Sequence, residues 1–136
     1  MHNTIKLVRI MLVTVLLGGL TAVAAQDTAP AAEAQRPSTY PVLAADLIRQ
    51  GVPVIDVRSA EEVERDGMIE GAVHIPHTDI DALAAFLGND KDRTAVLYCG
   101  SGRRAGLAIE ALRELGYHNL VNGGGFAALS EALARQ

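Results

Sequence analysis

Val96-Leu97-Tyr98-Cys99-Gly100-Ser101-Gly102-Arg103-Arg104-Ala105-Gly106 is the stretch on which the reading of the chain turns. The apolar run from Ala95 to Tyr98 is short and uninterrupted, as in a strand covered on both faces of a sheet. A polar loop with two glycines follows. From Ala105 onward, Ala105, Ala108, Ile109, Leu112 and Leu115 recur at helical spacing. Strand, tight loop and helix in this order predict an α/β sheet, and in such sheets ligands bind beyond the carboxyl ends of the strands. Cys99, the only cysteine of the chain, sits where the strand ends.

That position has chemical consequences. Backbone N–H groups at a helix N-terminus lack intrahelical acceptors and favour an anion placed above them. A nearby guanidinium acts in the same sense. Both stabilise a thiolate, which is the nucleophilic form of cysteine. Gly100 and Gly102 let the loop curl until several amides converge on one point, forming an anion-binding nest. The alternative is a small, inert cysteine buried in a strand–turn–helix connection. The glycines and the paired Arg103 and Arg104 favour the reactive reading.

Working outward, Val52-Pro53-Val54-Ile55-Asp56-Val57-Arg58 reads as a second strong strand, with Pro53 tolerable near its start. Ser59 with Glu62 three residues on is a capping box, so a short helix starts at Ser59 and stops at Asp66-Gly67. Ala72-Val73-His74-Ile75 is a short strand closed by Pro76. Thr78 to Leu87 reads as a helix with Ile80, Leu83, Ala84 and Leu87 on its apolar face, and Gly88 to Asp92 as a polar turn. The helix after the central loop ends at Gly116. His118 to Val121 is a final short strand, Asn122 to Gly125 a turn, and Phe126 to Arg135 a terminal helix. Ahead of these, Pro41-Val42-Leu43 suggests an edge strand and Ala44 to Gln50 a helix with Leu43, Leu47 and Ile48 on one face. Alternating strands and helices predict a parallel sheet with helices on both faces and all strand ends on one rim.

The chain has 136 residues, enough for one domain, and carries a formal charge of −4, so it shows no nucleic-acid footprint. With one cysteine it forms no intrachain disulfide, and with no tryptophan its core is built from aliphatic side chains. Lys6 and Arg9 precede an apolar run from Ile10 to Val23, followed by Ala22-Val23-Ala24-Ala25. This is the pattern of a secretory signal peptide over residues 1–25, cleaved after Ala24 or Ala25. An uncleaved anchor is the alternative, but the apolar run is short of the roughly 20 residues a membrane span needs. Periplasmic or secreted location follows, without stable membrane association. Gln26 to Thr39, rich in Ala, Pro, Gln and Thr, reads as a flexible linker, with order beginning at Tyr40. A lone reactive cysteine in an oxidising compartment points to chemistry in which the sulfur itself is modified.

From Tyr40 to Ala134 the sequence resembles a rhodanese-like domain. Three stretches carry the resemblance: Val54-Ile55-Asp56-Val57-Arg58 followed by Glu62; Gly67 with Gly71-Ala72-Val73-His74-Ile75-Pro76; and Tyr98 to Arg104, continuing to Leu115-Gly116-Tyr117 and Asn119-Leu120-Val121. With its leader, the chain is most similar to the small, single-domain periplasmic rhodaneses of the phage-shock type. The resemblance implies a three-layer α/β fold over residues 40–136 and a sulfurtransferase activity. Cys99 would take the outer sulfur of thiosulfate as a persulfide and pass it to cyanide or to a thiol, including a protein thiol. Arg104 would add positive charge, and amides from Gly100, Ser101, Gly102, Arg103 and Ala105 would cradle the anion. Neither a metal nor an organic cofactor is implied. A related phosphatase group on this fold separates cysteine and arginine by five residues. Here four residues separate Cys99 from Arg104, and Ala105 stands where the longer loop needs arginine, which argues for sulfur over phosphorus.

There are departures from the family pattern. Gly100 stands where many thiosulfate-using members have a basic residue, and Cys99-Gly100-Ser101-Gly102 is similar to the loop start of mercaptopyruvate sulfurtransferases, so the donor stays open between the two. Phe126 and Leu129 fill the space where the family often has a tryptophan. Asp56 and Arg58 read as structural, pairing charges at the rim. Arg103 points to solvent, either attracting anionic donors or serving as plain surface charge. His74 and His77 lack the neighbours that would complete a metal site, and Gly123 to Gly125 lack the lysine and serine of a phosphate loop. A non-catalytic rhodanese-like module that binds a partner or senses sulfur species is the alternative function.

Overall fold

The computed structural model describes residues 37–135. The expected signal peptide and the expected linker up to residue 36 lie outside the described residues.

The central stretch forms β3 (Ala95–Cys99), buried at every position. Successive strand side chains point to opposite faces, and this sorts the core into two layers. Ala95, Leu97 and Cys99 pack with Ile55, Leu83 and Leu112, whereas Val96 and Tyr98 pack with Ala44, Ala45 and Leu129. β1 (Val54–Asp56) pairs with one edge of β3 and β4 (Leu120–Gly125) with the other; β2 (Val73–His74) lies outside β1. All pairings are parallel, in the order β2-β1-β3-β4. Helices α1 (Pro41–Arg49) and α5 (Phe126–Ala134) pack on each other and on β4 to cover one face. α3 (Ile80–Leu87) and α4 (Arg103–Glu114) cover the other. The short α2 (Ala60–Asp66), which follows β1, has no buried residue. The expected three-layer α/β fold with a parallel sheet is the one observed.

Several local expectations need correction. Pro41-Val42-Leu43 is the first turn of α1 and not an edge strand. Proline suits that position because its missing N–H would have had no intrahelical acceptor. Small Ala44 and Ala45 make the buried contact, and Leu43 is half exposed. Asn122 to Gly125 form the last four residues of β4, not a turn: Asn122 pairs with Leu97 and Gly125 with Cys99. Three residue steps on β4 thus face two on β3, so β4 carries a bulge just where β3 ends. Leu115, expected on the apolar face of α4, lies beyond its last turn and is half exposed.

Asp56 and Arg58 form a buried pair at the carboxyl end of β1, with 0% and 1% of their surfaces exposed. The Arg58 guanidinium donates to both Asp56 oxygens, at 2.6 Å from Nη2 and 3.0 Å from Nε, and also to the Gly67 carbonyl that ends α2. Its carbon lies 4.3 Å from the Phe126 ring centroid. Phe126 thus packs beneath a cation, and Leu129 is fully buried nearby. His74 Nε2 lies 2.9 Å from the Arg58 carbonyl oxygen, a structural contact at the strand edge. Among the described residues, no group of three or more His, Cys, Asp or Glu is placed to hold a metal. Replacing Arg58 by alanine leaves a buried carboxylate uncompensated. Arg58→Ala should lower unfolding stability by about 3–5 kcal/mol, read as a fall in the urea midpoint, with part of the loss recovered in Arg58→Ala/Asp56→Ala.

Candidate active site

β3 delivers Cys99 to the rim, and α4 begins four residues later at Arg103. The link between them turns back over the sulfur. The Gly102 N–H donates to Cys99 Sγ at 3.0 Å. Gly102 is the N-cap of α4 with φ 90°, a left-handed conformation natural to glycine, and its carbonyl accepts the first intrahelical bond, from the Gly106 N–H at 2.9 Å. Cys99 is buried, while Gly100 and Ser101 beside it are exposed.

Each predicted loop residue has a definite place. Arg103 is exposed on the first turn of α4. Ala105 is fully buried and faces the core layer of Leu97 and Leu112. Arg104 turns to α2, where Nη1 and Nη2 donate to the two oxygens of Glu62 at 2.6 and 2.7 Å. Glu62 is also the capping-box residue of α2: Oε2 accepts from the Ser59 N–H at 3.1 Å, and Ser59 Oγ accepts from the Glu62 N–H at 3.3 Å. One carboxylate therefore fixes the start of α2 and tethers it to the start of α4. Arg104 hydrogen bonding holds the Glu62 carboxyl down to about 2, with the Ser59 amide helping. In return Glu62 raises Arg104 above its ordinary value, with a smaller contribution from the neighbouring Cys99.

Beneath the loop, β4 supplies a floor that the sequence concealed within a glycine run. A Cβ on Gly125 would lie 2.5 Å from the Gly100 carbonyl oxygen, so the loop backbone occupies the space of a side chain. Asn122 is buried; its Nδ2 donates to the Gly102 carbonyl at 2.9 Å and its Oδ1 accepts from the Gly124 N–H at 3.0 Å. The Asn122 carbonyl accepts from the Tyr40 N–H at 2.8 Å. Thr39, ahead of the expected start of order, packs against Gly102 and Gly124. Asn122, Gly125, Thr39 and the Arg104-binding role of Glu62 all escape a reading of the sequence. The capping box and the place of Glu62 in the family-like stretch after Arg58 were its visible signs, and neither pointed to Arg104.

A parallel α/β sheet with a cysteine at the end of a central strand, folded under a loop that opens a helix, defines the class. Residues 40–132 match the rhodanese-like domain model, and the chain belongs to that family. Over 71 residues it is 38% identical to thiosulfate sulfurtransferase PspE of Escherichia coli, a match covering 52% of this chain and 67% of that protein. It is 34% identical over 76 residues to the tRNA sulfurtransferase of Shewanella loihica, covering 55% of this chain but 16% of that protein. Among solved structures, the human single-domain sulfurtransferase TSTD1 superposes with a TM-score of 0.56 at 27% identity, covering 71% of this chain and 96% of that one.

Two measurements check this geometry. Because the Glu62 carboxyl titrates at about 2 in the folded protein against an ordinary 4.5, its stabilising effect is complete above about 4.5 and disappears as pH falls towards 2. The stability difference between wild type and Glu62→Gln should therefore be constant above that range and shrink steadily below it, as followed by urea titrations at a series of pH values. Asn122→Ala leaves the Gly102 carbonyl and the Gly124 N–H without their buried partner. It should cost about 1–3 kcal/mol of unfolding stability in the same assay.

Proposed function

We propose that the protein is a sulfurtransferase that moves a sulfane sulfur from thiosulfate, or a related small anionic donor, to cyanide or a thiol acceptor through a Cys99 persulfide. The observation that carries this reading is the Cys99 sulfur at the end of β3, beneath the loop, with the Gly102 N–H aimed at it. A backbone donor in that position stabilises negative charge on sulfur without any reorganisation during the reaction. The Cys99 thiolate attacks the outer sulfur of thiosulfate. The sulfur–sulfur bond of the donor breaks, sulfite leaves with the electron pair, and Cys99 keeps the sulfur as a persulfide. Cyanide then takes that sulfur as thiocyanate and returns the thiolate. No general base is needed when the thiol is already ionised.

Gly100, Ser101, Gly102, Arg103 and Ala105 contribute backbone amides to the cradle, and Arg104 stands beside it. The four-residue spacing between Cys99 and Arg104, with Ala105 where a longer loop needs arginine, supports sulfur over phosphorus transfer. The similarity to a thiosulfate sulfurtransferase supports the choice of donor. The basic and apolar pattern of residues 1–25 supports export, and hence a periplasmic or secreted site of action. Among the described residues no helix is long and apolar enough to cross a membrane. The full cover over Cys99 favours, as a second reading, a module that binds a partner or senses sulfur species without turnover.

Intact-mass spectrometry of the reduced protein, after brief incubation with thiosulfate or with 3-mercaptopyruvate, separates the two. Transfer predicts a gain of one sulfur atom that cyanide removes and that Cys99→Ser abolishes. A folded, reduced protein that gains no mass with either donor would leave the binding or sensing module.

A further inference from the structure

Two residues that precede the family match press on the start of α4. Pro37 and Thr39 belong to neither core layer, and Thr39 is exposed. A Cβ on Gly102 would lie 2.6 Å from Thr39 Cγ2 and 3.1 Å from the Gly124 Cα, so Gly102 is enclosed between them. A Cβ on Gly106 would lie 2.6 Å from the Pro37 Cβ. Glycine is unfavourable inside a helix relative to alanine, and Pro37 in the space of its side chain accounts for Gly106. Gly102 and Gly106 are the two ends of the hydrogen bond that opens α4. The same short segment also reaches Gly102 by a second route. The Tyr40 N–H donates to the Asn122 carbonyl, and the Asn122 side chain donates to the Gly102 carbonyl.

These contacts converge on the one residue whose N–H meets Cys99 Sγ. Glycine can adopt the φ of 90° found at Gly102, but it also has the widest choice of other conformations. With no side chain of its own, Gly102 keeps its orientation only through what surrounds it. Asn122 and the Gly106 N–H hold its carbonyl, and the Thr39 methyl lies against the place a side chain would take. We propose that Thr39 is a positioning residue for Cys99: its methyl group pins Gly102 so that the Gly102 N–H stays on the Cys99 sulfur and favours the thiolate. A hydrogen bond to the charged form of a thiol stabilises that form. Thr39 touches neither the sulfur nor a substrate in this role and acts through Gly102 alone. The meaning of the proposal for turnover rests on the sulfurtransferase reading, whereas its effect on the thiol does not.

The measurement is the ultraviolet absorbance of the Cys99 thiolate across a pH series, taken on the full chain as the difference from Cys99→Ser so that tyrosine absorbance cancels. It reads ionisation directly, with no reagent having to reach the sulfur. Thr39→Ala removes the methyl and the hydroxyl. The midpoint should move to higher pH, and the ionised fraction below the midpoint should fall about threefold, as expected when one hydrogen bond to the thiolate is loosened. Thr39→Val keeps a methyl in place and should restore the wild-type profile. Gly106→Ala suits the helix better but drives Pro37 away, and it should shift the midpoint in the same direction as Thr39→Ala. A profile that overlays wild type in folded Thr39→Ala or Gly106→Ala would overturn the proposal. So would a Thr39→Val profile displaced as far as that of Thr39→Ala, because the methyl would then not be the pinning group. Absence of sulfur transfer from either donor, with the midpoint shifts present, would remove the sulfurtransferase reading and leave the positioning role of Thr39 standing.

Discussion

The backbone of the Cys99–Arg104 loop lies against β4 with no room for a side chain between them, and the site depends on that contact. The Gly100 carbonyl occupies the place where residue 125 would carry a Cβ. Gly102 can then bring its N–H onto the Cys99 sulfur, with Asn122 taking its carbonyl from below. The β4 bulge opposite Cys99 belongs to the same device, because the extra residue bends the strand where the loop must descend. Thr39 closes the underside against Gly102 and Gly124. Glycine at these points serves close approach, and a buried amide satisfies the polar groups that the approach would otherwise strand.

Two charge pairs then fix what surrounds the loop. Asp56 and Arg58 are deeply buried and join the end of β1 to the end of α2 through the Gly67 carbonyl. Glu62 and Arg104 join the start of α2 to the start of α4. The short α2, with no buried residue of its own, is held at its start by the Glu62–Arg104 ion pair and at its end by the Arg58 hydrogen bond to the Gly67 carbonyl. Its anchorage is therefore electrostatic, and one of its two anchors is Arg104, on the first turn of the helix that follows Cys99. Helix position and site charge are set by the same carboxylate.

Family membership and site geometry point the same way. A strand buried on both faces brings one cysteine to the rim of a parallel sheet, and the helix that follows begins there. The chemistry suited to such a place handles negative charge on sulfur, because the donor aimed at Cys99 Sγ is the Gly102 backbone N–H, which cannot titrate.

Much of this was readable from residue order alone. The apolar run from Ala95 to Tyr98 fixes a buried strand, Ser59 and Glu62 mark a helix start, and alternation along the chain calls for a parallel sheet. These are local rules, so a linear sequence displays them. The glycine run from Asn122 to Gly125 shows where such rules stop: glycines usually mark turns, yet here they are strand, because pairing with β3 and the loop above demand residues without side chains. Pro41-Val42-Leu43 became helix for a similar reason, since packing of Ala44 and Ala45 on the sheet outweighed the strand-like look of the sequence. Sequence determined the layered α/β fold and the placing of Cys99 at a strand end. Tertiary structure alone decided that Glu62 meets Arg104 across 42 positions and that Asn122 supports Gly102 across 20, because those contacts exist only once the sheet has brought distant segments to one rim.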